Sequence, residues 1–133
     1  MELDGTTAIV TGGSTGIGKA IATAYVEAGA DVVIANRSES TGTTVADDLG
    51  CQFVQTDVRE YEQVESLVEA TVDEYGSLDV MVNNAGIGSE TTGERMTLEE
   101  WENVIRTDLG GVMHGTKAAL PLLKDSDGCI VNI

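Results

Sequence analysis

The stretch TGGSTGIG at residues 11–18 constrains the fold more than any other part of the sequence, because it joins an apolar run to a helical pattern. Three of its glycines, Gly12, Gly16 and Gly18, follow the apolar run that ends at Val10. Glycine at such a turn lets the backbone come close to a phosphate, and the free N–H groups and dipole of the next helix favour an anion. The stretch therefore predicts a strand, a phosphate-binding turn and a helix.

Apolar runs and helical patterns alternate along the rest of the chain. The runs predict strands at Thr7–Val10, Asp31–Ala35, Cys51–Val54, Leu78–Val82 and Gly128–Ile133. Apolar residues at helical spacing predict helices at Gly16–Ala28, Ser38–Leu49, Arg59–Tyr75 and Thr97–Lys124, the last with a weak point at Gly110 and Gly111. Mostly apolar strands separated by helices indicate an α/β fold, a doubly wound parallel sheet covered on both faces. At 133 residues the chain matches a single domain.

Two kinds of phosphate-binding loop compete for the glycine turn. Residues 13–19 also read G-x-x-x-x-G-K, a near match to the loop that binds nucleoside triphosphates. That loop needs Ser or Thr after the Lys to ligate magnesium, and Ala20 offers no oxygen, so this interpretation is disfavoured. The remaining spacing, G-x-x-x-G-x-G from Gly12 to Gly18, differs from the dinucleotide fingerprint G-x-G-x-x-G. A dinucleotide site therefore needs support from the rest of the chain.

Charge and hydropathy exclude several classes of partner. Seven basic and 23 acidic residues give a formal net charge of −16, which repels nucleic acid and anionic lipid. The acidic residues are dispersed and only three lysines accompany them, a pattern typical of proteins from salt-loving organisms, with an ordinary solvated surface as the alternative. No apolar run approaches the ~18 residues of a membrane helix. The N-terminus lacks the features of a secretory signal, so we expect a cytoplasmic protein without membrane or nucleic-acid partners.

Three reactive side chains are interpreted as structural. Cys51 and Cys129 each lie in an apolar run without a metal-ligand neighbour at usable spacing, so we expect core residues and no metal site. His114 lies in a helical stretch with no carboxylate three or four residues away to orient it. It is therefore not favoured as a catalytic base.

Further motifs follow the glycine turn in a fixed order. VNNAG at residues 82–86 ends the fourth predicted strand, Asp57 ends the third, and WENVIRTDLGGV leads into HGTKAALP. Together with TGGSTGIG these motifs resemble the short-chain dehydrogenase/reductase family over the whole chain. The resemblance implies a Rossmann-type NAD(P)-binding domain over residues 1–133, and an oxidoreductase that passes hydride between nicotinamide and a carbonyl or alcohol.

The resemblance also implies a set of cofactor-binding residues. Those on the pyrophosphate side, at the glycine turn, are Gly12, Ser14, Thr15, Gly16, Ile17 and Gly18. Asp57 and Val58 would flank the adenine, and Asn84, Ala85 and Gly86 would line the cofactor and brace the central sheet. For Asn84 the alternative is a polar strand end that only hydrogen-bonds nearby backbone, and we expect both roles.

Asn36 and Arg37, at the end of the second strand, bear on which dinucleotide binds. An acidic residue there accepts from the ribose 2′-OH of NAD and repels a 2′-phosphate. Neutral Asn36 and the guanidinium of Arg37, which can hold a phosphate in bidentate fashion, favour NADP. NAD is the second choice, because family members that prefer NADP often carry a basic residue where this chain has Thr15. An unliganded surface cation is the alternative for Arg37.

Most catalytic residues of the family are absent from the sequence. The family uses a Tyr as general acid/base, a Lys four residues later, a Ser that orients the substrate and an Asn that completes a proton relay. The Ser would follow residues 132–133, and Tyr-x-x-x-Lys would lie on the next helix. None of Tyr25, Tyr61 and Tyr75 has Lys four residues on. Asp108 aligns with the family's Asn. The backbone carbonyl of that Asn performs part of its role, and an Asp at the same position keeps this carbonyl.

Two interpretations of function stand. In the first, the chain is the cofactor-binding portion of an NADP-dependent oxidoreductase, truncated after the fifth strand and inactive alone. In the second, it is complete and acts as a nucleotide-binding or subunit-pairing module without turnover. The DNA downstream of Ile133 discriminates between them. In both cases we expect a homo-oligomer, formed through Leu98–Lys124, where the family commonly pairs subunits, or through the open edge of the last strand.

Overall fold

The computed structural model describes residues 1–89 and 91–133, and within these ranges it contains five β-strands and five α-helices. The strands are β1 (Thr7–Thr11), β2 (Asp31–Asn36), β3 (Gln52–Gln55), β4 (Val80–Asn83) and β5 (Cys129–Asn132). The helices are α1 (Gly16–Glu27), α2 (Glu39–Leu49), α3 (Tyr61–Tyr75), α4 (Leu98–Asp108) and α5 (Gly110–Ser126). In this part of the chain, no helix is both long and apolar enough to cross a membrane.

The strands form one parallel sheet in the order β3-β2-β1-β4-β5. The chain first builds outward from β1 to β3 and then returns to add β4 on the other side of β1. Val10 of β1 pairs with Val82 of β4, so both strands end at the same edge. The turn that follows β1 and the NNAG motif that follows β4 are therefore neighbours. Parallel sheets bind ligands beyond the carboxyl ends of their strands where the order reverses in this way.

Helices cover both faces of the sheet. Ile9 packs in one cluster with Leu67 of α3 and Ala119 of α5. Val10, the next residue, packs in a second cluster with Ala22 of α1 on the opposite face, as the alternation of side chains along a strand requires. Burying a Val, Leu or Ile side chain contributes about 1.5–3 kcal/mol, and this explains why the middle of β1, Ala8–Val10, is continuously apolar rather than alternating. The predicted doubly wound α/β fold is confirmed.

The helix predicted at Thr97–Lys124 is two helices in the structure. The break falls at Leu109, beside the predicted weak point, and α5 then runs from Gly110 to Ser126. A Cβ at Gly111 would lie 2.8 Å from the side chain of Val58. Glycine at this point therefore lets the start of α5 pack directly against the segment that follows β3.

The prediction that both cysteines are core residues is wrong for Cys129, which is exposed, while Cys51 is half-buried. Cys129 begins β5, which lies at an edge of the sheet with β4 as its partner among the described strands. An apolar run does not reveal whether its strand is central or at an edge, so its burial was overestimated.

Candidate functional site

The turn between β1 and α1 has a backbone that favours glycine. Gly12 and Gly16 have φ angles of +65° and +52°, a region that residues with a Cβ rarely adopt. Helix α1 begins at Gly16, and among the described residues its N-cap Thr15 makes no side-chain hydrogen bond to the first turn. The N–H groups of that turn are therefore free to donate to an anion.

The NNAG motif fastens the glycine turn to the end of β4. The Asn84 side chain donates from Nδ2 to the carbonyl oxygens of Thr11 and Gly12, at 3.1 and 3.2 Å. In return, Oγ1 of Thr11 accepts from the backbone N–H groups of Asn84 and Ala85, at 3.0 and 3.1 Å. A Cβ at Gly18 would overlap both the Gly12 carbonyl oxygen and the Asn84 amide. Gly18 is thus required by close packing, and Asn84 braces the turn.

A cavity of about 320 Å³ lies along the carboxyl edge of the sheet. Most of the predicted cofactor-binding residues line it, namely Gly12, Ser14, Thr15, Asn36, Arg37, Asp57, Val58, Ala85 and Gly86. The rest of the predicted set, Gly16, Ile17, Gly18 and Asn84, are not among the lining residues. Residues from the turn, from the end of β2, from beyond β3 and from NNAG therefore meet around one space.

The end of β2 presents Arg37 and hydroxyl groups to this cavity. The Asn36 side chain is held by donation from Nδ2 to the Ser38 carbonyl oxygen at 2.8 Å. Gln55 donates to the Arg37 carbonyl oxygen at 3.0 Å, which fixes the backbone there. Ser38 caps α2 by accepting from the Thr41 backbone N–H at 3.4 Å. The N-terminus of α2, the positive end of its helix dipole, therefore follows directly on Arg37, an exposed residue that lines this cavity.

Asp57 lies beyond β3 at the wall of the same cavity and is paired with Arg59. Nη2 of Arg59 is 2.7 Å from Oδ2 of Asp57, and both side chains are partly buried. Hydrogen bonds from the Arg59 side chain and backbone, together with its charge, hold the pKa of Asp57 below its usual value. Asp57 is therefore an anion at neutral pH.

Asp108 and His114 make contacts that position backbone segments. Oδ1 of Asp108 accepts from the Ile87 backbone N–H at 2.7 Å, which ties the loop after β4 to the end of α4. Nδ1 of His114 lies 2.7 Å from the Val58 carbonyl oxygen, and its ring meets that of Tyr61 edge-on at 5.7 Å between centroids. These contacts agree with the structural interpretation of His114.

Several lining residues were missed by sequence reasoning, namely Ala35, Ser38, Thr41, Thr56, Ile87 and Thr107. Ser38 carries a recognisable signal, because a serine directly before a helical pattern is a typical N-cap. Thr107 carries none, since it comes from α4 and reaches the cavity only through tertiary packing.

The sheet order and the cavity at its reversal point define a Rossmann-type α/β architecture. Within that class, the short chain dehydrogenase family model matches residues 6–133. The chain belongs to this family, and the resemblance found in the sequence motifs is confirmed.

Curated relatives are similar in sequence to nearly the whole of this chain. The chain is 42% identical to a 3-oxoacyl-[acyl-carrier-protein] reductase of Chlamydia muridarum, over 95% of this chain and 54% of the relative. It is 39% identical to a protein of the same name from Vibrio cholerae, over 100% of this chain and 56% of that one. A trans-4-hydroxycyclohexanecarboxylate dehydrogenase of Sinomonas cyclohexanicum is 36% identical, over 95% and 53%. The chain spans about half the length of the curated relatives it matches.

Proposed function

We propose that residues 1–133 form the cofactor-binding portion of a short-chain oxidoreductase that uses NADP(H) in preference to NAD(H). The observation that supports this proposal is the cavity of about 320 Å³, at which the glycine turn, Arg37, Asp57 and the NNAG residues meet. The relatives named above are reductases and a dehydrogenase, so the same class of reaction, hydride transfer to or from a carbonyl or alcohol, is proposed here. Their different substrates give no basis for choosing one for this chain.

The preference for NADP rests on charge at the end of β2. Arg37 is exposed at the cavity, and the N-terminus of α2 with the Ser38 hydroxyl lies next to it. A 2′-phosphate placed here would meet a guanidinium and the positive end of a helix dipole. Asn36 contributes no charge that would repel it.

In this proposal the chain's own residues bind and orient the dinucleotide, whose nicotinamide supplies or accepts the hydride. The α1 N-terminus receives the pyrophosphate, and Asn84 keeps the glycine turn in place. Asp108 occupies the position of the family's Asn and holds the loop that carries Ile87. Proton transfer to the substrate oxygen requires the Ser and Tyr-x-x-x-Lys that the family places after residues 132–133.

The test is to measure binding and turnover on the same preparation. We expect the purified chain to bind NADPH, seen as a change in cofactor fluorescence, more tightly than NADH. We expect no oxidation of NADPH with simple ketones, because the loss of a general acid/base lowers a rate by about 10²–10⁴-fold. Substantial turnover by protein free of other reductases, or the absence of binding to either cofactor, would contradict the proposal.

A nucleotide-binding or subunit-pairing module without turnover is the second candidate. It is favoured by exposed apolar side chains on α4, on α5 and at the break between them, including Trp101, Leu109 and Met113, which are 53%, 64% and 57% exposed. The DNA downstream of Ile133 decides between the candidates. A reading frame that continues with Ser and Tyr-x-x-x-Lys supports the oxidoreductase, whereas an immediate stop codon supports the module.

A further inference from the structure

Arg59 holds the carboxylate of Asp57 from several sides. Its Nε lies 3.0 and 3.1 Å from the two carboxylate oxygens, and its Nη2 lies 2.7 Å from Oδ2. The Arg59 backbone N–H also donates to Oδ1 at 3.0 Å. On its far side, Nη1 donates to Oδ1 of Asn103 in α4 at 2.6 Å. The guanidinium is therefore fixed in orientation between the segment after β3 and α4.

Asp57 and Arg37 are neighbours at the cavity wall. Both line the cavity of about 320 Å³, and both line a second one of about 290 Å³ together with Gln55 and Gln63. Gln63 accepts from the Asp57 backbone N–H at 2.8 Å, so the backbone on this side is also fixed. The charge of Arg37 adds to that of Arg59 in lowering the pKa of Asp57. The carboxylate of Asp57 is thus within electrostatic reach of both arginines.

The two arginines are nevertheless used differently. Among the described residues, Arg59 forms an ion pair with Asp57, whereas Arg37 forms none. An arginine that pairs with a carboxylate in bidentate fashion is less available for a phosphate, because the same N–H groups would serve both anions. If Asp57 were not already held, its nearest alternative cation along the cavity wall would be Arg37.

We propose that Arg59 is a specificity-positioning residue. By occupying both oxygens of Asp57, it leaves Arg37 free to bind the 2′-phosphate of NADP. Asn103 contributes by anchoring the guanidinium of Arg59 from α4. The inference rests on the proposed function, since it concerns how the same site distinguishes NADP from NAD.

The test compares dissociation constants for NADPH and NADH across a set of variants. Arg59→Met releases Asp57 to pair with Arg37, so we expect NADPH binding to weaken about tenfold, as for loss of one charge-assisted contact, with NADH binding little changed. The double variant R59M/D57N removes the competing carboxylate, so the parent's NADPH-to-NADH ratio should return. Arg106→Met is the matched control, because it removes the same charge from the exposed Arg106–Glu60 pair and should leave the ratio unchanged.

Adenosine 2′,5′-bisphosphate and adenosine 5′-monophosphate serve as smaller probes that lack the nicotinamide. Arg59→Met should weaken binding of adenosine 2′,5′-bisphosphate about tenfold and leave binding of adenosine 5′-monophosphate unchanged, since only the bisphosphate carries the 2′-phosphate. An unchanged NADPH-to-NADH ratio in Arg59→Met overturns this inference alone, as does a ratio that the D57N substitution fails to restore. Failure of the parent chain to bind either dinucleotide overturns the proposed function and this inference with it. Circular dichroism on each variant confirms that the ratio is measured on folded protein.

Discussion

At the scale of single residues, Gly18 shows how the site depends on close packing rather than on backbone angles. Unlike Gly12 and Gly16, it has no positive φ, and it lies inside α1, where alanine is normally more stable than glycine by about 1 kcal/mol. Its Cβ would nevertheless overlap the Gly12 carbonyl oxygen and the Asn84 amide. The Asn84 side chain and the glycine turn would have to move apart to make room for a single methyl group.

We therefore predict that Gly18→Ala destabilises the fold by about 1–3 kcal/mol, opposite in sign to the helix-propensity effect. The free energy of unfolding is measured by urea denaturation. Gly88→Ala is the control, because a Cβ there meets nothing within 4 Å. Equal stability of Gly18→Ala and the parent would show that the turn can shift at little cost.

Arg37 is the residue whose charge carries the proposed cofactor preference. We predict that Arg37→Asp shifts the preference towards NAD, because the new carboxylate would repel a 2′-phosphate and can accept from a free 2′-OH. Dissociation constants for NADPH and NADH measure the shift. A variant that keeps the parent's ratio would identify Arg37 as a surface cation without a role in binding.

At the scale of secondary-structure elements, the sequence was enough to predict the strands that are buried on both faces of the sheet. Strands such as β1 are covered on both faces and therefore have a continuous apolar run at their centre, which separates them clearly from amphipathic helices. The break at Leu109 and the exposure of Cys129 depend instead on which elements pack nearby. The contact between Arg59 and Asn103 joins residues 44 apart in sequence and leaves no local pattern. Most residues that line the cavity could be predicted from the sequence, but the contacts that hold those residues in place, such as the one between Arg59 and Asn103, could not.

Helices α4 and α5 and the break between them carry large apolar side chains that the described chain leaves exposed. Trp101 lies on α4, Leu109 at the break and Met113 on α5. Exposed apolar patches are typical of protein–protein contacts. The short-chain dehydrogenase family commonly pairs its subunits through the two helices that follow the fourth strand, and we propose the same use of α4 and α5 here.

We predict that the chain self-associates in high salt, and that the double variant L109K/M113K shifts it towards monomer. Light scattering at tens of micromolar gives the mass. Thr43→Lys is the control, since it places a lysine at an exposed position of α2, which packs on the opposite face of the sheet. A monomeric parent would contradict self-association. A double variant that keeps the mass of an oligomeric parent would contradict pairing through α4 and α5 and would point instead to the edge strand β5.

At the scale of the whole molecule, the net charge of −16 is opposed by few cations. The described residues contain three ion pairs, of which the one between Asp57 and Arg59 is the most buried. The other two pairs, Met1–Asp4 and Arg106–Glu60, are exposed, and exposed ion pairs contribute at most about 1 kcal/mol each to the stability of a fold. Repulsion among the acidic side chains is therefore largely uncompensated within the chain, and we propose that the fold is adapted to high ionic strength.

The stability of the fold should then rise with salt. Added potassium chloride shortens the Debye length from about 10 Å at 0.1 M to about 3 Å at 1 M, which screens repulsion in the folded state, where the acidic groups are closer together than in the unfolded chain. We predict a Tm that increases steadily over this range, measured by circular dichroism. Sucrose at matched osmolality is the control, because it is excluded from protein surfaces but does not screen charge. A Tm that is the same in dilute buffer and in molar salt, or that rises equally in sucrose, would mean that the dispersed acidic residues are an ordinary solvated surface.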